Sequence, residues 1–501
     1  VIQTVETASV TGLDVHPVRV EVSITRGTPM IQIVGLAQSA VHEGRERIRA
    51  AAAQLGLHVP GLRITVNLAP ADRPKQGSGF DLPIILGILT AAGELPAERL
   101  AGTLVAGELG LDGTVRPIRG VLPIALHAAR SAAVRRLIVP YDNLREASAA
   151  GGVAALGSRS LGEVIAYLRG GSLPSVSDLP SRPATGARRP VPDLASVLGQ
   201  GTAKRALEIA AAGGHNLLFI GAPGSGKTSL ARCLPGLLPP LGTEEAVEVT
   251  AIHSVAGVLP ADAGLVRERP FRAPHHTISE AGLIGGGGIP RPGEASLAHA
   301  GVLFLDELPE FGRRPLEALR QPMEEGRVHL VRARASASFP ARFALVAAMN
   351  PCPCGYFGVP ERPCRCGDGA IHAYRRRVSG PLLDRIDLRI EVPPLTWGEL
   401  SGGPAAGGET SPAVAGRVRE ARGRAAGRRA AAGLEAVGRL DAAGRSLLRV
   451  AVERLGLSAR GVTRTLRIAR TIADLAGSDG VGEDHVAEAI RYRGTELGHP
   501  A

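Results

Sequence analysis

The chain reads as an α/β protein in three parts: an N-terminal α/β domain, a central phosphate-loop core built on a parallel sheet, and a C-terminal helical lid. Three stretches lead to that reading. Asn216-Leu217-Leu218-Phe219-Ile220 runs straight into Gly221-Ala222-Pro223-Gly224-Ser225-Gly226-Lys227-Thr228; Val302-Leu303-Phe304-Leu305 ends in Asp306-Glu307; and Phe343 to Met349 ends in Asn350. Short apolar runs that stop at polar residues fit buried strands.

Residues 1–170 make up the first expected domain. It carries the alternation Val18-Arg19-Val20-Glu21-Val22-Ser23-Ile24, which suits a half-buried strand, and then a helix over Val41 to Leu55, where Ile48, Ala51, Ala52 and Leu55 share one face. Residues 171–192 turn to Ser, Pro, Gly and Arg without apolar periodicity and read as a linker. Residues 193–395 form the phosphate-loop core, with a helix over Ala203 to Ala212 ahead of its first strand and a cysteine-bearing insertion at 350–368. A Gly/Pro-rich stretch from Ser401 to Pro412 gives way to Arg-rich and Ala-rich helices through Arg493, so 396–501 are expected to form the lid.

Composition narrows the class. A length of 501 residues holds about two to four domains, each able to bury a core. Aromatics are 3%, so those cores are aliphatic. No apolar run reaches the roughly 18 residues of a membrane span, and Val1 to Val10 lack the basic and apolar regions of a leader. A cytoplasmic location with no membrane partner is therefore expected, where clustered cysteines point to metal ligands over disulfides. The net charge of +11 fits a polyanionic partner, and equally a solvated basic surface.

Gly221 to Thr228 has the spacing of a phosphate loop. Its glycines let successive backbone N–H groups converge on phosphates, Lys227 adds a point charge, and the Thr228 hydroxyl can hold Mg²⁺. Ser229 opens the helical run that follows, and Gly221 to Ser229 are the expected ATP-binding set. Asp306 supplies the second Mg²⁺ group, through water, and Glu307 the carboxylate that orients or deprotonates the attacking water. Asn350, ending the next strand, is placed by its position in the series to polarise that same water.

Taken together, several motifs resemble those of the ComM/YifB family of magnesium-chelatase-like AAA+ ATPases, over nearly the whole chain. They are Gly221 to Thr228, Arg269-Pro270-Phe271-Arg272-Ala273-Pro274-His275-His276-Thr277, Gly285 to Gly288, Ser296-Leu297-Ala298-His299, Asp306-Glu307, Asn350-Pro351-Cys352-Pro353-Cys354-Gly355 and Asp384-Arg385-Ile386-Asp387. The resemblance implies a homo-oligomeric ring, a hexamer, with ATP between subunits. Arg385 is then the finger that stabilises charge on the neighbour's ATP; the alternative is a surface arginine paired with Asp384 or Asp387. The lid supplies a second sensor, Arg460, with Arg464 the competing candidate. Two insertions are implied, one around Arg267 to Gly293 and a hairpin over about Arg327 to Phe343. Val328, Leu330 and Phe339 can pack on one side of that hairpin, while Arg332 and Arg334 stand near its small-residue tip as expected DNA contacts or as a solvated arginine pair.

Cys352, Cys354, Cys364 and Cys366 form two Cys-x-Cys pairs. Four thiolates suit a structural tetrahedral Zn²⁺; an iron–sulfur cluster or uncoordinated thiols are the other readings. Cys233 reads as a small buried residue. The N-terminal domain resembles the proteolytic domain of Lon through Pro74 to Gly79 and Gly107 to Val115, but Gly79 takes the nucleophile position and Leu122 that of the lysine base. No peptidase is expected from those residues.

The family resemblance implies an ATP-driven DNA motor, a helicase or branch-migration translocase acting in homologous recombination of incoming DNA during natural transformation. With few aromatics for base stacking, DNA contacts should fall on phosphates, independent of sequence. The alternative is a protein-remodelling ATPase of the magnesium-chelatase type.

Overall fold

The computed structural model describes residues 2–57, 60–72, 75, 77–180, 191–260, 263–332, 335–360, 362–401, 408–429, 440–455 and 457–493. The N-terminal strands are β1 (Ile2–Thr11), β2 (Asp14–Thr25), β3 (Met30–Val34), β4 (Arg63–Ala69), β5 (Thr103–Val105), β6 (Glu108–Leu109), β7 (Val115–Arg116), β8 (Arg136–Pro140) and β9 (Ala154–Ser158). Seven of them form one mixed sheet in the order β3-β4-β2-β1-β5-β8-β9. The expected alternation sits in β2: Val18, Val20 and Val22 are buried, and Arg19 points to solvent. The helix Ser39–Gln54 buries Ile48, Ala51 and Ala52, while Leu55, just past its end, is exposed. Helix Asp81–Ala91 runs through the middle of this domain and buries Asp81 at its start. Arg47 donates to that carboxylate from Nε (2.7 Å) and Nη2 (3.1 Å), and the Leu109 N–H from 3.2 Å. Burial still dominates, and the Asp81 carboxyl is held above the usual carboxylate range.

The core strands are β10 (Leu217–Ile220), β11 (Phe271–Arg272), β12 (Gly285–Gly286), β13 (Arg291–Pro292), β14 (Val302–Leu305), β15 (Arg327–Arg332), β16 (Ala335–Pro340), β17 (Ala344–Met349) and β18 (Leu388–Glu391). Five of these make a parallel sheet in the order β11-β14-β17-β10-β18. Both faces are covered, so β10 and β14 are buried at every residue, which is why they read as continuous apolar runs. Register aligns Ile220 with Met349 and Leu305 with Ala347. Three strands that end in functional residues are thereby adjacent and parallel, and their carboxyl ends open on one crevice, the usual ligand position in such sheets.

The lid helices Ser411–Arg429, Ala442–Leu455, Ala459–Leu475 and Glu483–Arg491 pack against helix Gly201–Gly213 and the near face of the sheet. Val414, Val418, Ile468 and Ile472 share one core with Leu207, Leu217 and Leu230. The N-terminal domain docks on helix Thr243–Ala256. There the Ser254 hydroxyl donates to the Glu146 carboxylate and accepts from the Gly120 N–H at 3.0 Å. A second contact joins the β1–β2 turn to the β15–β16 hairpin, where a Cβ on Gly12 would lie 2.7 Å from the Ala337 Cβ. Among the described residues no helix is long and apolar enough to cross a membrane.

Candidate functional site: a phosphate loop, two strand ends and a cysteine cluster

The loop after β10 turns on glycines that need left-handed backbone, Gly224 (φ 80°) and Gly226 (φ 92°). Helix Lys227–Leu237 then begins with its free N–H groups toward the loop. The Lys227 ammonium is folded back into the loop, donating to the carbonyls of Gly221 (2.7 Å) and Ala222 (2.8 Å) and to Asn350 Oδ1 (3.3 Å). Burial lowers its pKa, with Asp306 opposing. Those partners are carbonyl oxygens that a phosphate can replace with greater charge complementarity. Among the described residues the Ser225 hydroxyl, buried at the loop, has no hydrogen-bond partner.

The Thr228 hydroxyl donates to Asp306 Oδ2 at 2.8 Å across 78 residues of sequence. An alcohol beside a carboxylate at a helix N-terminus fits a hydrated Mg²⁺, the alcohol as direct ligand and the carboxylate through water. Glu307 follows with φ 53°, a left-handed conformation that costs a non-glycine residue about 1–3 kcal/mol. Its Oε2 lies 3.2 Å from His276 Nδ1. The His276 ring also lies tilted against that of His275 and meets Phe311 edge-on. His276 lies within the Arg269 to Thr277 motif, but two adjacent histidines in a loop carry no spacing that points to a carboxylate distant in sequence.

Arg385 is turned away from its own phosphate loop. Its Nη1 donates to the Pro381 carbonyl at 2.6 Å, its Nη2 pairs with Glu324, and its Nε is buried without a partner. It pairs with neither Asp384 nor Asp387, and its side chain is 10% exposed, so the surface-turn alternative does not describe it. Asn216 pins its backbone, donating to the Arg385 carbonyl at 2.9 Å and accepting from the Leu345 N–H at 3.0 Å. In the lid, Ser458 caps helix Ala459–Leu475. Arg460 is exposed at the helix start, while Arg464, one turn on, is half-buried with Nε 3.9 Å from Asp387 Oδ1 and Nη1 unpartnered. Both line one cleft with Thr463 and Arg467.

The hairpin β15–β16 forms as expected, with Val328, Leu330 and Phe339 buried beneath it and Val331 and Arg332 exposed. Arg334 lies outside the described residues. Among the described residues, the four clustered cysteines place their sulfurs within 4.8 Å of one another. Separations of 3.4, 3.6 and 3.5 Å link Cys352, Cys354 and Cys364. Tetrahedral zinc at its usual bond length needs sulfurs about 3.8 Å apart, so the donor set and spacing fit. Backbone N–H groups of Arg365 and Tyr356 pull the Cys354 thiol down to about 6. For Cys364 the Cys366 N–H also lowers it, yet burial and the neighbouring sulfurs leave it pushed up to about 12. Four sulfurs this close cannot all shed protons without a cation among them. Cys233 is buried in helix Lys227–Leu237, its thiol donating to the Ser229 carbonyl.

In the N-terminal domain, Gly79 has no side chain to offer as nucleophile and Leu122 is a buried apolar residue in helix Val121–Arg130. Ser78 bonds to Glu108, and the Leu122 N–H donates to Glu146 at 2.8 Å, the same carboxylate that docks on Ser254.

Comparison with known proteins gives family-model matches to magnesium chelatase, subunit ChlI, over residues 193–400, to subunit ChlI of Mg-chelatase over 20–143, and to the ChlI C-terminal model over 408–493. An uncharacterized protein of Mycobacterium tuberculosis is 46% identical over 97% of each chain. YifB of Escherichia coli is 43% identical over 98% of this chain and 96% of its own. Competence protein ComM of Haemophilus influenzae is 44% identical over 96% and 95%. A shorter likeness, 27% over 25% of this chain, is to Lon protease 2 of Bacillus subtilis.

Proposed function

The chain belongs to the magnesium-chelatase-like AAA+ family that holds YifB and ComM, and from that membership we propose that it is an ATP-driven, ring-forming DNA motor, a helicase or branch-migration translocase serving homologous recombination of incoming DNA during transformation. One observation carries the chemistry: Lys227, the Thr228–Asp306 pair, Asn350 and the Lys227-capped loop meet at the carboxyl ends of β10, β14 and β17. On ATP binding, Lys227 exchanges the Gly221 and Ala222 carbonyls for phosphate oxygens, and the backbone N–H groups from Gly224 to Ser229 cradle them. Thr228 and Asp306 would hold Mg²⁺, which would supply positive charge to the phosphates. Glu307 orients the attacking water, with His276 fixing its carboxylate, and Asn350 polarises that water from the other side. Arg385 acts on the neighbouring subunit's ATP in a hexameric ring, and Arg460, which no ion pair holds among the described residues, reaches the phosphates from the lid.

DNA is the proposed substrate because the chain is basic and the hairpin presents Arg332 outward, with Arg334 beside it in sequence. Binding should then be sequence-independent, to single-stranded or branched DNA, and should weaken steeply with salt. The cysteines are proposed to hold a structural zinc. Matches to chelatase-subunit models favour a second reading, a protein-remodelling ATPase. The test is ATP hydrolysis with and without single-stranded and branched DNA, followed by branch migration with wild type beside Lys227→Ala. Turnover indifferent to every DNA, with no branch migration, sinks the motor and leaves the remodelling reading.

A further inference from the structure

The cysteine cluster is not a free appendage. Gly355, between Cys354 and the rest of the cluster, has φ 88°, and a Cβ there would lie 2.6 Å from Pro223 Cδ and 2.8 Å from its Cγ, at the tip of the phosphate loop. The same Cβ would sit 3.9 Å from Asn350 Cγ, and Asn350 receives Lys227. The Gly355 N–H is tied to the Cys352 carbonyl at 3.0 Å, so the cluster's own turn sets where Gly355 stands. On the far side Arg375 braces it, donating to the Pro351 carbonyl at 3.1 Å with its guanidinium over Phe357.

Residues 352–366 have little apolar cover of their own: Cys352 is buried, but Tyr356, Phe357 and Val359 are only part-buried. Fixing a residue's backbone costs about 1–2 kcal/mol, so such a stretch needs a cross-link to stay folded. A metal joining the two Cys-x-Cys pairs is that cross-link. Pro223, by contrast, is exposed, and the glycines that follow it at 224 and 226 take left-handed backbone. Lys227 ties the base of the loop at the Gly221 and Ala222 carbonyls, and Gly355 packs against Pro223 at its tip.

We propose that metal loading of the four cysteines sets the phosphate-loop tip through the Gly355–Pro223 contact, so that the metal state tunes ATP affinity. Gly355 and Pro223 are positioning residues; the metal takes no part in hydrolysis. The inference rests on the reading of Gly221 to Ser229 as the ATP site. Without metal, the loop must be ordered by ATP itself, and that cost appears as weaker binding.

The test is equilibrium binding of a fluorescent ATP analogue with Mg²⁺ to the full chain as purified with zinc, after chelation, and after zinc is restored, with metal content and circular dichroism followed in each state. Chelation is expected to raise Kd about tenfold, equivalent to about 1.4 kcal/mol, with helix content unchanged and zinc restoring the affinity. Gly355→Ala is expected to keep its zinc and still raise Kd by a similar factor, because the added Cβ pushes Pro223 away. Cys354→Ser should lose zinc and match the chelated protein. An unchanged Kd on chelation, protein that carries no metal when purified under reducing conditions, or wholesale loss of helix on chelation each overturns the proposal. Wild-type protein that binds no ATP in any state overturns the ATP-site reading itself.

Discussion

If Arg385 serves the neighbouring subunit's ATP, two dead variants should repair each other. Arg385 lines a cleft of about 550 Å³ with Glu324, Arg320 and His329 to Arg332, and no residue of Gly221 to Ser229 borders that cleft. Lys227→Ala destroys a subunit's own site; Arg385→Ala destroys its neighbour's. Each alone should lose about 10³-fold or more in turnover. In a ring mixed one to one, an interface works only when a subunit with intact Lys227 faces one with intact Arg385. Each choice has an even chance, so about a quarter of interfaces, and about a quarter of wild-type turnover, should return. Folding should survive the change, because the carboxylate it leaves behind, Glu324, is more than half exposed and is solvated by water. The assay is steady-state phosphate release at fixed total subunit concentration, with subunit exchange verified by tagged wild type. A mixture no more active than the sum of its parts, while exchange is demonstrated, would refute action in trans.

Three further outcomes are expected. Glu307→Gln should bind ATP normally and release phosphate about 10²–10⁴-fold more slowly; near-normal turnover in a phosphate-release assay would remove Glu307 from water activation. Arg332→Ala should make the salt dependence of DNA affinity shallower by about one unit of log–log slope, measured by titration at several salt concentrations, and an unchanged slope would take the hairpin off the DNA path. Asp387 shows how pH enters: burial alone would raise its pKa, but His215, the Asn216 N–H and Arg464 together hold it below the ordinary range. The folded state then binds fewer protons than the unfolded one, so the contribution is full above the ordinary Asp pKa and is lost as pH falls through the depressed value. Asp387→Asn should therefore lose stability at neutral pH and flatten the acid limb in denaturant unfolding; an unaltered acid limb would refute the assignment.

Much of the core was legible because its signals are local. The Gly221 to Thr228 spacing, the apolar strands ending at Asp306 and Asn350, and the hairpin alternation of Val328 and Leu330 each lie within a few residues of chain. Less legible were the partners. His276 carries no local mark of its contact with Glu307, and the pairing of Arg385 with Glu324 joins groups 61 residues apart. The alternative reading of Arg385, paired with Asp384 or Asp387, looked to sequence neighbours, and the fold turned the side chain to Glu324 and the Pro381 carbonyl. Leu122, read as a lost catalytic position, has a backbone N–H that helps hold the docking carboxylate Glu146.

Which groups this protein has for phosphate chemistry, and which strands and turns present them, is written locally in the chain, because both follow from backbone rules acting over one strand or one turn. The side-by-side placing of β14, β17 and β10, the approach of Gly355 to Pro223 and the closure of Ser254 on Glu146 come from packing between distant segments. Those arrangements are chosen by the burial of apolar faces, which is non-directional and acts between segments remote in sequence. No local pattern encodes them, and they are what place Lys227, Asp306 and Asn350 around one crevice.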